Sequence, residues 1–179
     1  MLESKLPEHP GQKGIQLEHI DVGGGLGINS KEPDTEAMPD VESYSKIFHD
    51  MIKLRKGQEL HFELGRALVG NCGSLISRVL YIKNGINTNF AILDAGMTEL
   101  IRPALYQAYH KIENLSSNSD SHKKYDVVGP ICESSDCFGK AVDLPETKRG
   151  DLIAIRSTGA YGEVMASNYN LREKAPSVF

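Results

Sequence analysis

The chain has 179 residues, with 20 Lys+Arg against 24 Asp+Glu and a formal net charge of −4. Its 40% hydrophobic and 25% charged residues are ordinary for a soluble globular chain of one domain or two small ones, long enough to bury a core without disulfides. The mildly acidic balance argues against nucleic acid as a partner, and no apolar run is long enough for a membrane helix. The start, Met1-Leu2-Glu3-Ser4-Lys5, lacks the basic-then-apolar layout of a signal peptide. Three cysteines, an odd number, fit a reducing cytoplasm rather than a disulfide framework.

Residues 1–14 carry Pro7, Pro10, Gly11 and Gly14 and read as an irregular lead-in. Gln16 to Val22 reads as a short buried strand running into Gly23-Gly24-Gly25. Lys31 to Asp40 is polar, holds two prolines and reads as a loop. From Val41, Tyr44, Ile47, Phe48, Met51, Ile52 and Leu54 recur at helical spacing, with Asp40 as N-cap and Gly57 just beyond the end. A strand over Glu59–Glu63 closes on Gly65-Arg66, which completes the rhythm of a parallel α/β unit. After Gly70 the pattern becomes mainly antiparallel β. Strands are expected over Ser74–Ile82 and Asn89–Asp94 about an Asn84-Gly85 hairpin, then over Tyr125–Cys132 and Asp151–Ser157, with a short helix over Pro103–Asn114. A boundary is expected between Gly65 and Ser74, dividing residues 1–68 from 69–179.

Several residues could carry chemistry. The Gly23-Gly24-Gly25 run follows a strand, where backbone amides can converge on a phosphate, although a glycine run in that position is more often a tight turn. It is neither a G-x-G-x-x-G fingerprint nor a P-loop. Glu63, Gly65 and Arg66 place a carboxylate, a glycine and a guanidinium at one strand end, suited to an anionic ligand bearing a cationic ring or to a plain surface ion pair. Cys132-Glu133-Ser134-Ser135-Asp136-Cys137 gathers thiols, acids and hydroxyls, but no second Cys or His pair completes a zinc site, so no metal is expected. Cys132 reads as a free thiol, reactive or else buried and inert. Arg102 and Tyr106 are four apart and would share a helical face, and Tyr161 stands between small residues. The six histidines are scattered and read as structural or exposed.

In order and spacing, HIDVGGGLGI (19–28), ELGRALVGNCG (63–73), DAGMTELIRPALYQAYH (94–110), VVGPICESSDCFG (127–139) and GAYGEVMASNYN (159–170) resemble the diaminopimelate decarboxylase family. That family belongs to the alanine-racemase-like, fold-type III group of pyridoxal-phosphate enzymes. The resemblance runs from about Leu17 to Phe179, and the CESSD and RPALY stretches favour this family over its ornithine- and arginine-decarboxylating relatives. It implies the C-terminal part of a (β/α)8 TIM barrel followed by an antiparallel β-barrel or sandwich domain. The reaction implied is decarboxylation of meso-2,6-diaminopimelate to L-lysine, in a homodimer with shared sites.

The resemblance also implies roles. Gly23, Gly24, Gly25, Gly65 and Arg66 would hold the cofactor phosphate, and Glu63 would keep the pyridine nitrogen protonated. Arg66, Arg102 and Tyr106 would hold the substrate, with Arg suited to a carboxylate by its planar fork. Glu133 would receive the distal ammonium, Tyr161 would lie against cofactor and substrate, and Cys132 would donate the proton. Two departures accompany it. Leu64 stands where the family usually has proline, and family members run to about twice this length. None of the lysines sits in a motif like the family's Schiff-base lysine site, so the chain is expected to be a C-terminal portion, inactive alone. The alternatives are a non-catalytic binding or assembly module derived from the family, and another fold-type III amino acid decarboxylase.

Overall fold

The computed structural model describes residues 17–35 and 38–179. The lead-in, Gln16 and two residues of the expected 31–40 loop lie outside them. The chain divides into two units, one reaching to Leu26 and resuming over Asp40–Leu64, the other made of Gly27–Pro39 and Gly65–Phe179.

In the first unit β1 (His19–Asp21) runs parallel to β2 (Glu59–His61), with His19 opposite Glu59 and Asp21 opposite His61. Between them lies α1 (Val41–Met51), whose N-cap Asp40 accepts the Ser43 N–H as its sequence position predicts. Tyr44 and Phe48 of α1 pack edge-on against each other and on Phe62, with centroids 5.0–5.9 Å apart. Ile20 and Leu60 are half-buried, while His19, Asp21, Glu59 and His61 are exposed. The helix stops before Leu54. Gly57 therefore does not cap it but sits at φ +86° in the turn that enters β2.

The second unit is a six-stranded sheet of β3 (Leu75–Asn84), β4 (Asn89–Leu93), β5 (Ile112–Asn114), β6 (His122–Val128), β7 (Cys137–Pro145) and β8 (Leu152–Ile155). Their order is β5-β8-β3-β4-β6-β7. The hairpin forms where Asn84-Gly85 predicts it, with the Gly85 N–H bonded to the Thr88 carbonyl. The sheet is mixed rather than antiparallel, because β4 pairs with β6 in parallel. The long connection from β4 to β6 crosses over through β5, and a crossover is what parallel pairing requires. The sheet curls until its two edges meet, so that a Cβ on Gly139 of β7 would lie 3.2 Å from Ile112 of β5. Val79, Leu93, Tyr125, Val127, Ile153 and Ile155 fill the interior.

Two short helices, α2 (Gly65–Val69) and α3 (Arg102–Tyr106), accompany the sheet. The expected 103–114 helix is cut to one turn because Gln107 turns left-handed at φ +53°, closing on the Arg102 and Pro103 carbonyls, and the chain then extends into β5. Strand β6 lies earlier than predicted, ending at Val128, and residues 129–136 form a loop. Strand β7 was not legible from its residues. A bulge at Ala141 (φ +49°), held by Asp126 Oδ1 on its N–H at 2.8 Å, breaks the apolar alternation that would reveal it.

Candidate functional site

At the C-terminal ends of β1 and β2 the glycine run meets Glu63. Gly23 (φ +71°) and Gly25 (φ +105°) adopt positive φ, and a Cβ on Gly24 would fall 2.3 Å from the Glu63 carbonyl oxygen. Glycine is therefore required at all three positions, twice for conformation and once for close approach. The Glu63 N–H bonds to the Gly23 carbonyl at 2.8 Å, and the Tyr44 hydroxyl bonds to the Gly24 carbonyl at 2.7 Å. Gly23, Gly24, Gly25 and Glu63 come together here, at the strand ends where parallel sheets present ligands.

In the second unit Arg66, Arg102, Tyr106 and Tyr161 converge. Arg66 extends from the first turn of α2 and Arg102 from the start of α3, where Pro103 sets the helical φ. Both guanidiniums lie over the Tyr161 ring, at 5.7 and 5.5 Å from its centroid, and Arg102 also lies 5.7 Å from the Tyr106 centroid. Neither has a carboxylate within ion-pair distance among the described residues; the paired arginines are Arg156 and Arg172. Burial lowers the Arg102 pKa from its usual value, and the neighbouring Arg66 charge adds to the effect. Two cavities of about 410 and 430 Å³ share this guanidinium pair in their walls.

Tyr161 is held by strain. It sits at φ +61°, costly for an aromatic residue, in a turn closed by Gly159 and Gly162. A Cβ on Gly159 would fall 2.0 Å from the Val69 carbonyl, and the Thr158 and Gly159 amides bond to the Gly73 and Gly70 carbonyls. The turn carrying Tyr161 is thereby stitched to the end of the helix carrying Arg66. Gly65, at the head of that helix, is exposed with open space about its Cα.

His110, one of the histidines expected to be structural or exposed, lines the same site. It is 5% exposed, and its Nδ1 lies 2.9 Å from the Arg156 carbonyl, a contact that requires Nδ1 to carry the proton. Its Nε2 is buried without a hydrogen-bond partner among the described residues. Burial first, then the charges of Arg102 and Arg66, push its pKa below the usual value. The opposite wall is the 27–31 segment, tied back by Glu32 to Lys111 and by Asp34 to Arg156.

Cys132 and Glu133 are exposed on the loop between β6 and β7 and line neither cavity. The buried Asp136 carboxylate pins this loop by accepting the Ile131 and Met97 N–H groups, each at 2.7 Å. The Tyr169 hydroxyl donates to Glu133 Oε1 at 2.7 Å. Cys137 is half-buried, with its thiol pKa raised by burial. The histidines are less scattered than the sequence suggests. His19 and His61 share a hydrogen bond of 2.9 Å beside Glu59, but all three are exposed and the rings satisfy each other.

Comparison with known proteins decides the family. Residues 17–159 match the family described as pyridoxal-dependent decarboxylase, C-terminal sheet domain. The chain belongs to this family. A diaminopimelate decarboxylase of Bacteroides thetaiotaomicron is 65% identical over 159 residues, covering 89% of this chain and 41% of that protein. One from Vibrio cholerae is 45% identical, covering 93% and 39%. The crystal structure of the Helicobacter pylori diaminopimelate decarboxylase complexed with L-lysine superposes with a TM-score of 0.78 at 42% identity, over 91% of this chain and 39% of that one. The chain thus spans about 40% of the length of the relatives it matches. No helix among the described residues is long and apolar enough to cross a membrane.

Proposed function

We propose that this member of the pyridoxal-dependent decarboxylase family forms the C-terminal part of a cytoplasmic diaminopimelate decarboxylase, which converts meso-2,6-diaminopimelate to L-lysine and carbon dioxide. Its first unit would contribute the last strands of a (β/α)8 barrel, and its second the sheet domain. The observation that carries the reading is the pair of guanidiniums, Arg66 and Arg102, stacked on Tyr161 with no carboxylate partner among the described residues. Such a pair awaits anions, and both a phosphate and a substrate carboxylate are anions. The donor set also fits pyridoxal phosphate through the glycine turn, whose Gly24 leaves no room for a side chain.

Bound pyridoxal phosphate supplies the electron sink that makes loss of carbon dioxide possible. The chain's residues would do the rest. Gly23, Gly24, Gly25, Gly65 and Arg66 hold the phosphate. The Glu63 carboxylate keeps the pyridine nitrogen protonated, because an adjacent negative charge favours the cationic form. Arg66, Arg102 and Tyr106 bind the distal carboxylate of the substrate, and Tyr161 forms an aromatic wall. Glu133 receives the distal ammonium. The Cys132 thiol gives its proton to the carbon that has lost carbon dioxide, and the thiolate is reprotonated from solvent. Since Cys132 and Glu133 line neither cavity beside Arg66 and Arg102, their loop is read as completing the site of a second copy, in a homodimer.

The test supplies the rest of the barrel. The N-terminal part of the Bacteroides thetaiotaomicron relative is fused ahead of residues 17–179, and lysine released from meso-diaminopimelate is measured. Turnover is expected, falling by about 10²–10⁴ in Cys132→Ala. Consumption of ornithine in place of diaminopimelate, or no turnover by a folded fusion that binds pyridoxal phosphate, would overturn the assignment.

A further inference from the structure

We propose that Tyr169 is a positioning residue for Glu133, and that the 167–172 segment is the brace that sets this carboxylate for a substrate ammonium. The proposal rests on the reading of Glu133 as the ammonium acceptor. It begins from an exposed side chain that is held. Glu133 projects from a surface loop, yet its Oε1 receives the Tyr169 hydroxyl at 2.7 Å. Across an exposed pair such a bond is usually weak, because two free side chains must be ordered to make it. Here both partners are ordered by other contacts, and both are ordered against the same turn.

That turn is 94–99, between β4 and α3. On the Glu133 side, Asp136 grips it through the Met97 N–H and fixes the backbone ahead of Cys132 through the Ile131 N–H. Nothing larger than glycine fits beside this carboxylate: a Cβ on Gly96 would lie 2.9 Å from it and one on Gly129 2.3 Å. On the Tyr169 side, the Ser167 N–H bonds to the Thr98 carbonyl at 2.9 Å. Arg172 donates to the Asp94 carbonyl, and its Nε lies 3.8 Å from the buried Glu99 carboxylate. Glu99 in turn holds the Gly96 N–H and the Thr98 hydroxyl, each at 2.7 Å. Loop and tail are thus registered to one another through the backbone of the 94–99 turn and the buried Glu99.

The consequence for recognition is directional. With Oε1 occupied by a phenol, Oε2 is the oxygen left to accept an ammonium, and the carboxylate plane is set before a ligand arrives. The Glu133 bond holds the Tyr169 phenol pKa above its usual value, so Tyr169 remains a donor throughout the neutral range. Binding then loses less conformational entropy, and the gain falls on substrate affinity rather than on the chemical step.

The experiment uses the fusion described above with Tyr169→Phe, Glu133→Gln and the double variant, together with absorbance titration of the phenols in the 179-residue chain. Tyr169→Phe is expected to raise KM for meso-diaminopimelate about tenfold and to leave kcat within about twofold, the size of one hydrogen bond to a charged group. In the Glu133→Gln background the same change should add nothing further, since the two act on one carboxylate. The raised phenol that is lost in Tyr169→Phe should move back toward the usual range in Glu133→Gln. Equal KM for wild type and Tyr169→Phe, or an undiminished effect in the Glu133→Gln background, would overturn the proposal. An inactive parent fusion would instead sink the reading of the site, and the phenol titration would still decide whether Tyr169 and Glu133 are joined.

Discussion

The two units carry comparable numbers of candidate ligand-binding groups on very different foundations. In the second, Val79, Ala91, Leu93, Val127, Ile153 and Ile155 are all but sealed from solvent, and Arg102, Tyr161 and His110 belong to the same unit. In the first, no described residue is buried, α1 included, and the aromatic contact of Tyr44, Phe48 and Phe62 is its main packing. Among the described residues, two parallel strands with one helix leave a face of His19, Asp21, Glu59 and His61 open and two sheet edges unpaired. Parallel strands are normally covered on both faces, and a two-stranded sheet is marginal alone. The difference teaches that a glycine turn can be specified in full by local sterics while the scaffold under it depends on covering that the unit's described residues do not provide.

Hydrogen exchange on the 179-residue chain is the most severe way to break the comparison. Amides of β4 and β8 should exchange only on global opening, roughly 10³-fold or more slower than those of β1 and β2, which open locally. Equal protection in the two sheets would show that the first unit has a stability its burial does not explain.

A substitution sharpens the same contrast. Gly24→Ala would drive a Cβ into the Glu63 carbonyl at 2.3 Å, and since that atom is backbone the turn must move as a whole. The expected cost is about 1–3 kcal/mol, confined to the first unit. It would be read as lost protection of the Glu63 amide, with the urea midpoint of the second unit unchanged. Gly27→Ala, where nothing lies within 4 Å among the described residues, should leave both units within about 0.5 kcal/mol. A Gly24→Ala protein with an intact Glu63 amide would mean that the turn has slack the packing denies.

What was legible in the sequence follows from the range of the interactions. Asp40 as the cap of α1, the Asn84-Gly85 hairpin and the shared face of Arg102 and Tyr106 are all set within four residues, and each is found as predicted. The features missed are set across the chain. Tyr169 reaches Glu133 over 36 positions and His110 reaches Arg156 over 46, distances at which no spacing rule operates. Strained or bulged backbone hides for a related reason. Nothing local announces that Tyr161 or Ala141 will adopt positive φ, because the cost is met by contacts elsewhere, such as the Gly159 turn packed on Val69.

The smallest predicted effect probes whether the buried core of the second unit extends to its charged site. Burial of His110, aided by the charges of Arg102 and Arg66, outweighs the hydrogen bond to the Arg156 carbonyl that favours its protonated form, so its folded pKa lies below the usual 6.5. As pH falls, the unfolded chain takes up this proton before the folded one does. The stability that depends on neutral His110 is therefore complete above about pH 6.5 and is lost as pH falls toward and through the folded value. His110→Asn keeps a donor for the Arg156 carbonyl and removes the titration. Between pH 7.5 and pH 5 the urea midpoint of the wild type should fall further than that of His110→Asn, while at pH 7.5 the two differ only by the exchange of side chains. Asp136, whose pKa burial moves upward, titrates with the opposite sign but is common to both proteins, so it drops out of the difference. Parallel pH profiles would mean that solvent reaches His110 and that the wall it forms is open.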